Sequence, residues 1–140
     1  MRTLKISILL LAIMATSVAG KASQVNEKLS MKYAADTYVN ALCHGQVKDI
    51  AAIFDNDAKF TSTRGQNIAN FTKGDILTSL RSNKGIEQNC AVTSSVLEAL
   101  PDQVIMKINM KYDAFTRVDI VTMLQTRAGW KITNVATTYQ

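Results

Sequence analysis

Residues 38–60 read YVNALCHGQVKDIAAIFDNDAKF. The stretch divides into the end of one helix, a glycine turn at Gly45, a second short helix and the start of a strand. Upstream, Met31, Ala34, Ala35, Tyr38, Ala41 and Leu42 recur at the spacing of a helix with one buried stripe, which predicts a helix over residues 25–44 ending at Gly45. Val47, Ile50, Ala51 and Phe54 repeat the pattern on a smaller scale and predict a helix over residues 47–54. The Asp55-Asn56-Asp57 cluster supplies a turn, and residues 59–63 follow as a short strand.

Downstream, residues 64–70 are polar and read as a loop. Thr72 with Asp75 three residues later marks a helix start that runs on through Ile76, Leu77 and Leu80, and residues 82–85 close it. The period then changes from helical spacing to alternation, and strands are predicted over residues 91–99, 104–114, 116–127 and 130–138. The connections between them are short, so neighbours run antiparallel. In the second of these runs Val104, Met106, Ile108, Met110 and Tyr112 share one face, while Lys107, Asn109, Lys111 and Asp113 share the other. In the third, the inward set reads most simply as Val118, Ile120, Thr122 and Leu124, which puts Arg117 and Asp119 on the outer face. The fold class is α+β: a curved antiparallel sheet whose apolar side wraps around a long N-terminal helix, with two shorter helices.

Residues 1–22 carry Arg2 and Lys5 before an apolar run and end in small residues, the pattern of a cleaved signal peptide. The run is far shorter than the roughly 20 residues that span a bilayer, and no Cys follows it. The expectation is therefore a periplasmic or secreted protein without a stable membrane anchor. Cleavage after Ala22 leaves about 118 residues, 23–140, enough for one domain with one core. It also removes three of the 16 basic residues, so the formal charge of +5 falls to about +2. The remaining Lys and Arg are scattered, without the basic stripe and interleaved aromatics that a nucleic acid requires.

Cys43 and Cys90 remain in the mature chain. Two readings stand: a disulfide, favoured by an oxidising compartment, or two small buried hydrophobes. A thiol nucleophile at Cys43 beside His44 is disfavoured, because adjacent helical residues point about 100° apart and the chain has 1 His. Asp55 and Asp57 lack the Gly and distal Glu of a calcium loop. A single His cannot build a His-rich site, so no metal is implied, and the sequence implies no cofactor.

The order helix, short helix, strand, helix, four long strands resembles the nuclear transport factor 2-like superfamily of cone-shaped α+β proteins. Its marks here are Tyr38 near the end of the first helix, Gly45, the apolar helix ending in Phe54, DAKF over residues 57–60 and GWKI over residues 129–132. Among secreted members of this size, the chain is similar to the group named putative lumazine-binding or SnoaL-like. The resemblance implies a pocket at the open end of the cone and dimerisation through the outer face of the sheet.

Compared with the steroid delta-isomerases of that superfamily, Tyr38 falls where a Tyr hydrogen-bond donor stands, and Ser62 where the catalytic base would be. A hydroxyl without a neighbouring base cannot remove a proton from a carbon acid near neutral pH. The expectation is therefore a small apolar or aromatic ligand held in the cone without catalysis, or a scaffolding role. Tyr38, Phe54, Phe60, Met106, Met110, Tyr112, Trp130 and Asn134 are the predicted lining. The alternative is an isomerase, cyclase or hydratase using Tyr38 as donor, and an Asp, Glu or His beside Tyr38 in an open pocket would overturn the binder in its favour. For the homodimer, Ile105, Val121, Met123 and Val135 are expected as an outward apolar patch rimmed by Lys107, Asn109, Arg117, Gln125 and Lys131.

Overall fold

Helix α1 (Met31–His44) begins where Ser30 accepts a hydrogen bond from the Tyr33 backbone and ends where Gly45 turns left-handed at φ 59°. A side chain at Gly45 would meet the backbone nitrogen of Gly85 at 2.6 Å, so the helix stops here for both conformational and steric reasons. Its buried stripe is Ala34, Tyr38, Ala41 and Cys43. The computed structural model describes residues 27–140; the signal-peptide segment 1–22 and the first two residues of the predicted helix lie outside them. Among the described residues no helix is long and apolar enough to cross a membrane.

Helix α2 is shorter than the sequence suggests, Ile50–Ile53 rather than residues 47–54. Asp49 adopts φ 61°, which breaks the helical path, and its carboxylate accepts from Lys28 and the Tyr33 hydroxyl. That joint fixes α2 against the start of α1. Strand β1 (Phe54–Arg64) starts earlier than predicted and absorbs the aspartate turn as an irregularity between Phe54 and Lys59. The Asp57 backbone there donates to the Asp55 carboxylate.

Residues 64–70 are not a loop. Gly65 turns the chain, and β2 (Asn67–Thr72) pairs antiparallel with β1, all of its residues exposed. An edge strand with nothing to bury lacks the apolar alternation that betrays a strand in sequence. Helix α3 (Lys73–Ser82) then starts with the expected cap: Thr72 and Asp75 bond each other's backbone reciprocally.

Strands β3 (Ala91–Ala99), β4 (Gln103–Lys111), β5 (Thr116–Thr126) and β6 (Gly129–Tyr139) follow within a residue or so of expectation, apart from the earlier end of β4. The sheet order is β2-β1-β6-β5-β4-β3. One pair departs from a purely antiparallel sheet, β1 running parallel to β6. Irregular register in three of the pairings adds curl, and the concave side closes over α1. The core joins Tyr38, Ile50, Ile53, Phe54 and Phe60 to Ile108, Met110, Val121, Met123, Ile132 and Val135.

The inward face of β5 is the reverse of the expected one. Val121 and Met123 are sealed in the core, and Arg117 and Asp119 share their side. Val118 is buried outside the core cluster, Ile120 and Thr122 are half-buried, and Leu124 is exposed. Apolar residues occupy both alternating sets of β5, so the pattern does not choose a face; the deciding partners lie on α1 and β6. Val135 likewise turns inward, paired with Val121. Of the four apolar residues expected outside, only Ile105 is not in the core, and Arg117 is not part of an outer rim.

Candidate functional site

Between α1, α3, β1 and the ends of β5 and β6 lies a cavity of about 540 Å³. Leu42, Phe60, Phe71, Ile76, Leu80 and Tyr139 give it apolar walls, and Tyr38, Ser62, Arg117 and Thr137 a polar floor; Asp75, Thr78 and Ser79 on α3 also border it. Strand register builds that floor, because Ser62 pairs with Thr137 and Thr137 with Asp119 in adjacent strands.

Tyr38, Arg117 and Thr137 of the floor form one hydrogen-bonded cluster with Asp119. Asp119, fully buried, accepts from the Tyr38 hydroxyl at 2.7 Å, from the Thr137 hydroxyl at 2.7 Å, and from Arg117 Nε at 3.0 and 3.2 Å. Three donors around one carboxyl suit its ionised, acceptor-only form. Arg117 Nη2 reaches back to the Tyr38 oxygen at 3.3 Å and to Thr137 at 3.4 Å. Burial, reinforced by the Asp119 charge and opposed by Arg117, holds the Tyr38 phenol well above its ordinary pKa. For Arg117, burial would lower the pKa, but the attraction of Tyr38 and Asp119 outweighs it and the guanidinium stays charged. Among the described residues no buried side-chain polar atom lacks a partner.

The cluster corrects the expectation that Asp119 faces away from Tyr38. A buried carboxylate on an apolar face is costly unless paired, and the sequence spacing alone does not display its partners, which come from α1 and β6. The acid is thus beside Tyr38, yet it is sealed beneath the cavity floor and the Tyr38 proton is directed into it.

Of the predicted lining residues, Tyr38 and Phe60 border the cavity. Phe54, Met106 and Met110 are packed in the core, Phe54 edge-on to Tyr38 and Phe60 with ring centres at 6.1 and 5.1 Å. Tyr112 stacks on Phe115 at 4.7 Å, and Phe115 meets Tyr139 at 5.9 Å, an aromatic run that reaches the cavity only at Tyr139. Trp130 borders a separate groove of about 210 Å³ with Leu29 and Tyr33. Asn134 pairs with Thr122 and Lys59 and lies outside the cavity lining. The residues missed were Leu42, Thr61, Ser62, Phe71, Asp75, Ile76, Thr78, Ser79, Leu80, Arg117, Thr137 and Tyr139. Ile76 and Leu80 carried a visible signal, a helical stripe, while Arg117 and Thr137 depended on the β5 and β6 phase.

Elsewhere, Cys43 and Cys90 form a disulfide with Cα atoms 6.3 Å apart. It ties the end of α1 to the chain leading into β3, alongside a His44–Glu87 contact and a backbone bond from Gln88 to Cys43. Among the described residues no group of three His, Cys, Asp or Glu side chains gathers as a metal site.

Solved structures with this fold include an NTF-2 like protein of unknown function from Silicibacter pomeroyi, 14% identical, covering 86% of this chain and 98% of that one at a TM-score of 0.68. An NTF2-like protein of unknown function from Methylobacillus flagellatus is 17% identical, covering 89% and 96%, at 0.62. A protein from Thiobacillus denitrificans described as a putative calcium/calmodulin-dependent protein kinase type II association domain is 12% identical, covering 79% and 95%, at 0.58. No curated protein sequence matches. These likenesses show a nuclear transport factor 2-like fold, and residues 26–140 match the family described as "Putative lumazine-binding", to which this chain belongs.

Proposed function

We propose that the protein is a secreted, periplasmic binder that holds a small apolar or aromatic molecule in its cone without converting it. The observation that carries this reading is the cavity of about 540 Å³, with apolar and aromatic walls and a few hydroxyl tips, within the size range of small-molecule sites. The family description points the same way. The pattern of residues 1–22 and the Cys43–Cys90 disulfide support an oxidising address. Self-association through the outer face of the sheet belongs to the proposal, with Ile105 and Ile120 now its apolar centre beside Lys107. Native mass spectrometry of protein purified from its source tests both parts. A retained small molecule supports binding and a doubled mass supports the dimer, whereas an empty monomer that also takes up no aromatic probe removes the reading.

One observation favours a second reading, an isomerase, cyclase or hydratase: the acidic Asp119 does stand beside Tyr38. Against it, Asp119 is sealed and Ser62, at the position of a base, has no basic partner. Conversion of a β,γ-unsaturated ketone to its conjugated isomer, lost in Tyr38→Phe, would replace the binder with the enzyme.

A further inference from the structure

The hydrogen bonds of the cavity floor leave a surplus of donors, and that surplus selects the charge of the ligand. Asp119 is answered by Tyr38, Thr137 and Arg117 Nε, while the Tyr38 and Thr137 oxygens face Arg117 Nη2. Among the described residues Nη1 of Arg117 has no hydrogen-bond partner, and the side chain keeps 21% exposure on a cavity that it borders. The Ser62 hydroxyl borders the same cavity and has no side-chain hydrogen bond among the described residues. The guanidinium stays charged at any working pH. An unpaired guanidinium arm in an apolar-walled cavity is best answered by an oxyanion, through short charge-assisted bonds that a neutral acceptor does not match.

We infer that the cavity takes a planar aromatic monoanion, its carboxylate or equivalent oxyanion on Arg117 Nη1 and the Ser62 hydroxyl, its ring against Phe60, Phe71 and Tyr139. This rests on the cavity being a ligand site, as proposed above, and adds the charge class. Asp75, its carboxylate held by the Thr72 backbone and hydroxyl, is also among the residues that border the cavity and disfavours a second negative charge on the ligand. A monoanion entering charge-first satisfies both residues; a dianion does not.

Calorimetric titration of the full chain with four probes of one ring system tests this: naphthoate, naphthamide, naphthylmethylammonium and a naphthalene dicarboxylate. Naphthoate is expected to bind about tenfold or more tighter than naphthamide, with the ammonium and the dicarboxylate weaker than naphthoate. Arg117→Lys keeps a cation for Asp119 but removes the second arm; it is expected to lower naphthoate affinity about tenfold and naphthamide affinity clearly less. Should that variant fail to fold, Ser62→Ala replaces it, with an expected loss of about threefold for naphthoate alone. Naphthamide binding as tightly as naphthoate, or naphthoate insensitive to the folded variant, overturns the anion assignment and leaves the pocket reading standing. Binding of none of the four overturns both.

Discussion

Tyr38 on α1 donates its phenolic hydrogen to Asp119 on β5 over 2.7 Å, joining residues 81 apart in the chain. The bond fastens the helix to the sheet at the depth where the cavity begins. In Tyr38→Phe the ring keeps its edge contact with Phe54, but Asp119 loses a donor and Arg117 Nη2 an acceptor. Loss of about 1–3 kcal/mol is expected from urea unfolding, the cost of leaving a buried polar group short of a partner. An unchanged midpoint would mean that water replaces the hydroxyl and that the bond does not hold the helix.

The same phenol sets an alkaline dependence. Its folded pKa lies well above the ordinary 10.0 because burial and the Asp119 charge disfavour phenolate. Its stabilising contribution is complete below about pH 10, where the unfolded phenol is also protonated. Above that, the unfolded state releases its proton and the folded state does not, so stability falls as pH rises. Tyr33 and Tyr112 are shifted upward too, so the difference between the wild type and Tyr38→Phe isolates the Tyr38 part. That difference should narrow as pH rises above about 10, and a constant difference would contradict it.

Arg117 and Asp119 should show strong non-additivity. Removing the cation alone, in Arg117→Met, strands a buried carboxylate and is expected to cost about 3–5 kcal/mol. Combined with Asp119→Asn it should cost clearly less than the sum, because no uncompensated charge then remains. Urea unfolding of the two single variants and the double variant measures the coupling, and additive losses would show that the pair does not act as a unit.

How far the sequence carried can be read from β4 and β5. In β4 every second residue is apolar and the intervening ones, apart from Ile105, are charged or amide, so Met106, Ile108 and Met110 announce their face, and all three are buried. In β5 both alternating sets hold aliphatic residues, and the inward set contains an arginine and an aspartate. Binary patterning then favours the wrong phase, because a buried ion pair is recognisable only with its partners, and Tyr38 and Thr137 come from other elements. That single inversion displaced Asp119 from the site and moved Val121 and Met123 to the surface. The same limit hid β2, whose exposed edge position gave Ile68 and Phe71 no buried face to declare. The other elements came in the expected order, and the Thr72 cap and the Gly45 turn were legible because local chemistry determines them.

The α3 cap is itself a test of how the cavity wall is held. Thr72 accepts from the Asp75 backbone, and Asp75 answers the Thr72 backbone and hydroxyl. Thr72→Ala removes one partner of the helix N-terminus at a cost of about 1 kcal/mol. Because Ile76 and Leu80 on this helix border the cavity, hydrogen exchange of the first turn of α3 should quicken selectively while β4 and β5 keep their protection. Uniform acceleration across the chain would instead mean that α3 opens only in global unfolding.

Reduction should loosen the other end of α1. The Cys43–Cys90 bond closes a loop over a sequence separation of 47 residues, between the last turn of α1 and the segment before β3. Restraining the unfolded chain in this way stabilises by about 2–4 kcal/mol. Cys43→Ser with Cys90→Ser should therefore lower the thermal midpoint, and the wild type in reductant should match the double variant. The Tyr38–Asp119 cluster lies on the sheet side of α1 and does not share this bridge, so the Tyr38→Phe loss should be similar with and without the disulfide. If reduction leaves the midpoint unmoved, the backbone bonds from Gln88 to Cys43 and from Gly85 to Gly45 hold this junction alone.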